Sequence, residues 1–368
     1  MAHNPLSTID RRVFLSSATL GTGVTLLGQS ASSAALVPAS QPSVHSLILQ
    51  EKDRQDAEAQ GTSLYVALDR LDETSFLSHF ADDVVSEDAV VGDLSVFPGG
   101  FSGCEITGMT DFRTLTTAIQ EHVGTPGSFV KHLSTVGSAK IGSISELTYL
   151  PKTFYGSGFD NLTVNDRIDG KIVRRIDYYD TAQLTPQDVA FLHPGGVPRQ
   201  SCTPSVEPDG RQHATPDLLR FVSRFNRALS SGSTERIASF FTEDVLLIHP
   251  LLRLRRNVGG FGLFNQGNRL RGRRAVEHFL RALLPVLPDG TAEVRHVLGN
   301  STGGGYEWRA TGAYAHQGLS RDGILGVTSL SLFGEQIQKI SVLFDTLQMT
   351  ADQRQNVQTI LRDSDLDL

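Results

Sequence analysis

Two stretches of the chain carry ionisable side chains in the same local setting. Phe80 to Gly92 reads FADDVVSEDAVVG and ends a short β-branched run on Glu87 and Asp88, whereas Phe241 to Leu252 reads FTEDVLLIHPLL and puts His249 at the homologous place. A carboxylate at the mouth of an apolar cavity gains the basicity that a proton shuttle needs. An imidazole titrates near neutrality and serves as a base or as a hydrogen-bond donor. A third stretch, DGKIVRRIDYYDTAQ, alternates so that Val173, Arg175, Asp177 and Tyr179 share one strand face, while Ile172, Ile176 and Asp180 share the other. These residue types point to acid–base chemistry, although Asp177 beside Arg175 reads equally as an ion pair on a sheet face.

The elements that must position these groups occur twice. DTAQLT at Asp180 to Thr185 returns as DTLQMT at Asp345 to Thr350, 165 residues on. GGF recurs at Gly99 and Gly259, 160 apart, and the Phe80 and Phe241 stretches lie 161 apart. Three islands in constant order and near-constant spacing indicate an internal duplication across the Pro/Gly-rich break from His193 to Asp217. In the first half, Leu64, Leu68 and Leu71, then Phe76, Leu77 and Phe80, mark two short helices, with FADD as a helix end and a strand near Val84 to Val91. Gly108 then precedes a helix bearing Phe112, Leu115 and Ile119, and a strand meander follows with a hairpin turn at Asp169-Gly170. The second half repeats the order from Leu218, Val222, Phe225 and Leu229 onward.

Length and composition bound the reading. A chain of 368 residues, 39% hydrophobic, accommodates two ordinary domains. With 33 Lys plus Arg against 40 Asp plus Glu, the formal charge of -7 has the wrong sign for a nucleic-acid binder. Cys104 and Cys202 allow at most one bridge and no multi-cysteine metal site. No metal or cofactor is expected, because GGF lacks the strand, Lys-Ser/Thr pair or dinucleotide fingerprint of a phosphate cradle. The arginines at 253, 255, 256, 269, 271, 273 and 274 read as a solvated loop face or as a receiver of anions.

At the N-terminus, DRRVFL puts Arg11 and Arg12 before the weakly apolar SSATLGTGVTLLG and the small-residue run SASSAA. This resembles a bacterial twin-arginine export signal, which implies a periplasmic or extracellular mature chain starting near Ala35. The apolar run is too short for a comfortable membrane span, and no later segment comes closer. The expected organisation is a signal peptide at 1–35, a linker at 36–50, a first domain at 51–192, a linker at 193–214, a second domain at 215–354 and a tail at 355–368.

Helices followed by a curved antiparallel sheet, twice, resemble the nuclear transport factor 2-like superfamily, with its SnoaL-like polyketide cyclases, ketosteroid isomerases and limonene epoxide hydrolases. The resemblance implies an α+β fold of two tandem cones, each with N-terminal helices packed on a strongly curved sheet whose concave face lines an apolar pocket. The stretch YVALDRLDETSFLSHFADDVVSEDAVVG is similar to the ketosteroid isomerase arrangement. On that match Asp88 takes the place of the proton-shuttling carboxylate and Tyr65 that of the phenol that donates to a developing oxyanion. The family's further carboxylate falls at Val164, with Asn165 and Asp166 only adjacent. Asp177 occupies the place of the catalytic Asp in the terminal-strand pattern of epoxide hydrolases and SnoaL-like cyclases, but SISELTYLP lacks their earlier-strand Arg and Asp. In the second half Phe225 replaces Tyr65, His249 replaces Asp88 and Val342 replaces Asp177. Arg309 matches the earlier-strand Arg, with Thr311 where its Asp would stand.

The expected catalytic residues are therefore Asp88, Tyr65 and Asp177, and the expected ligand-binding residues are Arg175, Tyr179, His249, Phe225 and Arg309. Two function classes remain open. One is a cofactor-independent isomerase, cyclase, dehydratase or epoxide hydrolase acting on a small hydrophobic molecule. The other is a non-catalytic ligand-binding or assembly protein. In both, the two cones pack as an intramolecular pseudo-dimer through apolar sheet faces, with further oligomerisation open.

Overall fold

The computed structural model describes residues 44–90, 94–97, 99–101, 103, 105–150, 158–184, 186–192, 212–256, 268–284, 292–310 and 324–364. Arg11, Arg12, both cysteines, the GGF at Gly259 and most of the linker at 193–214 lie outside them.

The first unit runs α1 (Val44–Asp69), α2 (Glu73–Leu77), β1 (Phe80–Asp88), β2 (Glu105–Thr107), α3 (Met109–Val123), β3 (Val130–Ser138), β4 (Gly142–Tyr149), β5 (Phe159–Ile168), β6 (Lys171–Tyr179) and α4 (Pro186–Leu192). The second runs α5 (Pro216–Ser230), α6 (Thr234–Ala238), β7 (Phe241–Ile248), β8 (Arg269–Arg271), α7 (Arg273–Leu283), β9 (Ala292–Asn300), β10 (Gly303–Ala310), β11 (Ile324–Phe333), β12 (Gln336–Phe344) and α8 (Ala351–Asp363). The sheet orders are β2-β1-β6-β5-β4-β3 and β8-β7-β12-β11-β10-β9. In each, the first long strand pairs parallel with the last and the other neighbours are antiparallel. The duplication read from three islands is a duplication of topology.

Local sequence explains the main elements. Pro216 opens α5 at a position where its missing N–H costs nothing, and Leu218, Phe221, Val222, Phe225 and Ala228 bury one face. Gly108 and Gly272 enter α3 and α7 at φ 90° and 93°, a backbone that other residues rarely adopt. Asp169 and Gly170, at φ 49° and 80°, make the expected hairpin turn.

Four sequence expectations need correction. FADD and its counterpart FTED begin strands rather than end helices, since α2 stops at Leu77 and α6 at Ala238. Phe80 lies four residues after Phe76 and so continues the spacing of α2 although it already begins β1, and strand alternation also puts Phe80 and Val84 on one buried face. The first of the two short helices is a 26-residue helix that starts inside the segment read as a linker. Residues 355–363 belong to α8, whose Thr350–Gln353 capping box and buried Val357 and Leu361 tie it to the second core.

The two sheets face each other, but the faces are not simply apolar. Val136, Ile144, Leu298, Leu325, Val327 and Leu343 share one core cluster. Gly305 permits the close approach, because a Cβ there would lie 2.6 Å from Ile144 Cδ1. Within this layer sits a buried ionic network. Arg174 donates through Nη1 and Nη2 to Glu307 at 2.7 and 3.0 Å, through Nε to Glu87 at 3.0 Å and through Nη1 to Asp166 at 3.3 Å. Tyr178 donates to Glu307 at 2.6 Å, and His296 Nε2 lies 2.7 Å from Asp166. Topology relates Arg174 to Lys339 and Glu307 to Glu146, and Lys339 does pair with Glu146. The ion pair across the cones is thus made twice, once in each direction.

Candidate functional site

The first cone encloses a cavity of about 110 Å³ whose polar lining is Asp88, Arg175, Asp177, Tyr179, Tyr149, Asn161 and Thr116. Asp88 and Asp177 are register partners on the parallel strands β1 and β6, so two carboxylates sit side by side on one wall. Their settings differ. Asp177 is clamped: Arg175 Nη2 donates to its two oxygens at 3.0 and 2.7 Å, and Thr163 Oγ1 lies 2.7 Å from Oδ1. Thr163 Oγ1 is also 2.7 Å from the Asn161 carboxamide. One hydroxyl proton serves one acceptor, so with Thr163 donating to the carboxylate, the Asn161 amide turns its nitrogen toward Thr163. Asp88 accepts from the Val90 N–H at 2.8 Å and from the Tyr179 hydroxyl at 3.3 Å.

Electrostatics fix the roles of the neighbours. Burial, reinforced by the charges of Asp88 and Asp177, pushes the Tyr179 phenol well above its ordinary value, so it stays a donor. Burial does the same to Tyr149, which accepts from Arg175 at 3.1 Å. Burial works most strongly against the Arg175 charge, but Asp177, Tyr149 and Tyr65 together outweigh it and the guanidinium remains protonated. The acidic pair Glu87–Asp88 is split by strand alternation. Asp88 faces the cavity, whereas Glu87 faces the other cone and pairs with Arg174.

Tyr65 is not in the cavity lining. Its ring stacks on His132 at 5.7 Å, and its phenol lies on the Arg175 side, behind the wall. Packing of α1 on β3 enforces this, since a Cβ on Gly61 would fall 2.0 Å from Thr135 Oγ1. The phenols at the carboxylates are Tyr179 and Tyr149. Sequence reasoning missed Tyr149, Thr163 and Asn161 as site residues. The period-2 alternation of FDNLTVNDRI, set opposite Asp177 and Tyr179, is the signal that would have found the last two.

The second cone holds a larger cavity, about 230 Å³, lined by Phe225, His249, Phe279, Trp308, Phe344 and other chiefly apolar side chains. His249 stands in the place of Asp88, while Val342, Ile340 and Phe344 stand where the first cone has Asp177, Arg175 and Tyr179. Burial drives the imidazole down to about 3, so it is neutral. Arg309 does not reach this cavity. Its neighbours Trp308 and Ala310 line it, and alternation sends Arg309 to the face that carries Glu307. From the arginine cluster, Arg253 reaches toward Asp160 and Asp180 of the first cone at 3.8 and 3.5 Å, and Arg273 pairs with Glu243 at 2.8 Å. Among the described residues no three His, Cys, Asp or Glu side chains are grouped to hold a metal ion. Among them, too, no helix is long and apolar enough to cross a membrane.

Residues 222–328 match the SnoaL-like domain family. The first cone repeats the strand order of the second, so the chain is a tandem of two α+β cones of one topology, the second of which carries the matched segment. Similar solved structures include a SnoaL-like protein of unknown function from Burkholderia thailandensis, 18% identical, covering 35% of this chain and 94% of that one with a TM-score of 0.28. A putative ketosteroid isomerase from Kribbella flavida is 16% identical over 34% of this chain and 79% of its own, with a TM-score of 0.26. An LEH-like epoxide hydrolase of M. tuberculosis is 24% identical over 38% and 98%, with a TM-score of 0.29. No curated protein matches.

Proposed function

We propose that the chain is an exported, cofactor-independent acid–base enzyme that acts on a small, largely hydrophobic molecule in its first cone. The observation that carries this reading is the side-by-side placement of Asp88 and Asp177 in different environments. Asp177 is held by Arg175 and Thr163, whereas Asp88 accepts from the Val90 N–H and from the Tyr179 phenol. Two carboxylates with different partners divide into a proton carrier and an orienting group. Asp88 takes the proton from substrate or water, and Tyr179 donates to the oxygen that gains charge. The Arg175–Asp177 pair orients the reacting molecule. The apolar wall of Leu68, Phe76, Phe97, Ile119, Phe129 and Phe159 selects a hydrophobic body. Isomerisation, cyclisation, dehydration and epoxide opening all fit this set. Export rests on the DRRVFL segment, and replacing Arg11 and Arg12 together by Lys should keep the protein out of the periplasmic fraction.

The test is untargeted mass spectrometry of molecules retained by the purified protein, followed by incubation of each with wild type and with Asp88→Asn. Conversion by the wild type alone supports the proposal. Equal conversion by both would remove Asp88 from the chemistry, and retention without conversion would leave a binding protein.

A further inference from the structure

The second cone has kept a cavity while losing the chemistry of the first. Its volume is about 230 Å³ against about 110 Å³, and the residues standing for Arg175, Asp177 and Tyr179 are Ile340, Val342 and Phe344. A dry cavity of about 150 Å³ lined by aliphatic and aromatic side chains already binds benzene. This one is larger.

Its polar groups are few and mostly engaged. Trp308 Nε1 donates to Thr328 Oγ1 at 3.1 Å, and Thr328 also adjoins the Tyr306 phenol. His249 is oriented by its own chain, because the Leu251 N–H reaches Nδ1 at 3.3 Å. An Nδ1 that accepts leaves the ring proton on Nε2. The ring packs edge-on between Phe279 at 5.3 Å and Phe344 at 6.0 Å. The wall therefore offers no charge, and besides the His249 N–H its lining includes one carboxamide, that of half-buried Asn226.

We propose that the second cone is a separate binding site for an uncharged, apolar molecule larger than benzene that carries one hydrogen-bond-accepting oxygen, such as a ketone, ether or alcohol, and that it moves no proton. A carboxylate or ammonium entering this cavity would lose its hydration with no counter-charge to meet it. A neutral carbonyl instead receives the His249 Nε2–H. The site is independent of the reading given for the first cone and holds whether or not that cone is catalytic.

The chain supplies its own reporter, since Trp308 is the only tryptophan and lines this cavity alone. Tryptophan emission, excited selectively, is followed while the full chain is titrated with three compounds of similar shape: cyclohexyl methyl ketone, isopropylcyclohexane and cyclohexanecarboxylate. The expected result is saturable binding of the ketone and the hydrocarbon, with the carboxylate at least tenfold weaker at pH 7. Ketone affinity should be flat from pH 5 to 8. His249→Phe should weaken the ketone by about fivefold to tenfold, the worth of one hydrogen bond, and leave the hydrocarbon unchanged. Asp88→Asn should leave all three titrations unchanged. The proposal is overturned by carboxylate binding equal to the ketone, by no saturable change with any compound, or by a response to Asp88→Asn. The comparison of the three compounds on the unmodified protein decides the matter even if His249→Phe fails to fold.

Discussion

Asp180 and Asp345, the first residues of the duplicated DTAQLT and DTLQMT segments, each hold the other's segment. Asp180 Oδ1 accepts from Thr346 Oγ1 at 2.9 Å and from its N–H at 3.0 Å, while Asp345 Oδ1 accepts from Thr181 Oγ1 at 2.7 Å and from its N–H at 3.2 Å. Each also caps its own turn, through Ala182 N–H and Leu347 N–H at 3.1 Å. The repeat survives in sequence because it is the contact between the cones rather than the site within them.

The clamp places two buried carboxylates close together, and burial followed by the charge of Asp180 pushes Asp345 up to about 7. Asp180→Ala removes acceptors from two buried donors on Thr346 and should cost about 2–4 kcal/mol in urea unfolding. Asp345→Asn keeps the acceptor oxygen and removes the repulsion. At pH 8 it should therefore be as stable as wild type or more so. A loss for Asp345→Asn as large as that for Asp180→Ala would contradict this assignment.

The contribution of Glu87 to stability should fall as pH rises from about 5 to 8. Burial pushes Glu87 up to about 7, with Glu307 adding to the effect and Arg174 opposing it. A carboxyl whose pKa is higher folded than unfolded stabilises the fold below its unfolded value and loses that contribution as pH rises through the folded one. Asp345 acts in the same sense. So does His296: burial lowers its pKa, but Asp166 outweighs this and raises it, so its contribution is lost as pH rises through the folded value. For Glu87 alone the change is on the order of 2–3 kcal/mol between pH 4.5 and 7. His249, pushed down by burial to about 3, works in the opposite sense, so the test is a difference: the urea midpoint of wild type relative to Glu87→Gln should decline across this window. An unaltered slope in Glu87→Gln would remove Glu87 from the account.

The sequence made the architecture readable because a duplication supplies its own control: two copies of one pattern, 160 to 165 residues apart, constrain each other. It also brought Asp88, Arg175, Asp177 and Tyr179 together through strand alternation. What stayed hidden depends on tertiary register. Arg174 and Glu307 are 133 residues apart, and nothing local says that they meet. The four-residue step from Phe76 to Phe80 fits helix and strand alike and disguised FADD as a helix end. Tyr65 misled for a related reason, because its place on a helix face says nothing about the depth at which α1 packs on β3.

The Arg175–Asp177 pair lends itself to a separate test. Removing one member of a buried ion pair leaves the other charge uncompensated, so Arg175→Met should cost about 3–5 kcal/mol. Arg175→Met combined with Asp177→Leu should recover much of that loss while remaining inactive. A double variant as unstable as Arg175→Met would mean that the pair is not the cause.

The two tyrosines separate what the sequence implied from what the geometry supports. Tyr179 Oη lies 3.3 Å from Asp88 in the cavity wall, whereas Tyr65 is buried behind it against His132. With a turnover assay in hand, Asp88→Asn should lower kcat by about a hundredfold or more, as loss of a general acid or base does. Tyr179→Phe removes one donor to the developing charge and should lower kcat by a hundredfold or more, with little change in KM, because that interaction strengthens only in the transition state. Tyr65→Phe keeps the ring stacked on His132 and removes a hydroxyl that touches no substrate, so kcat should stay within about threefold of wild type. A Tyr65→Phe defect as deep as that of Tyr179→Phe would return the oxyanion role to the helix tyrosine and require α1 to move when substrate binds.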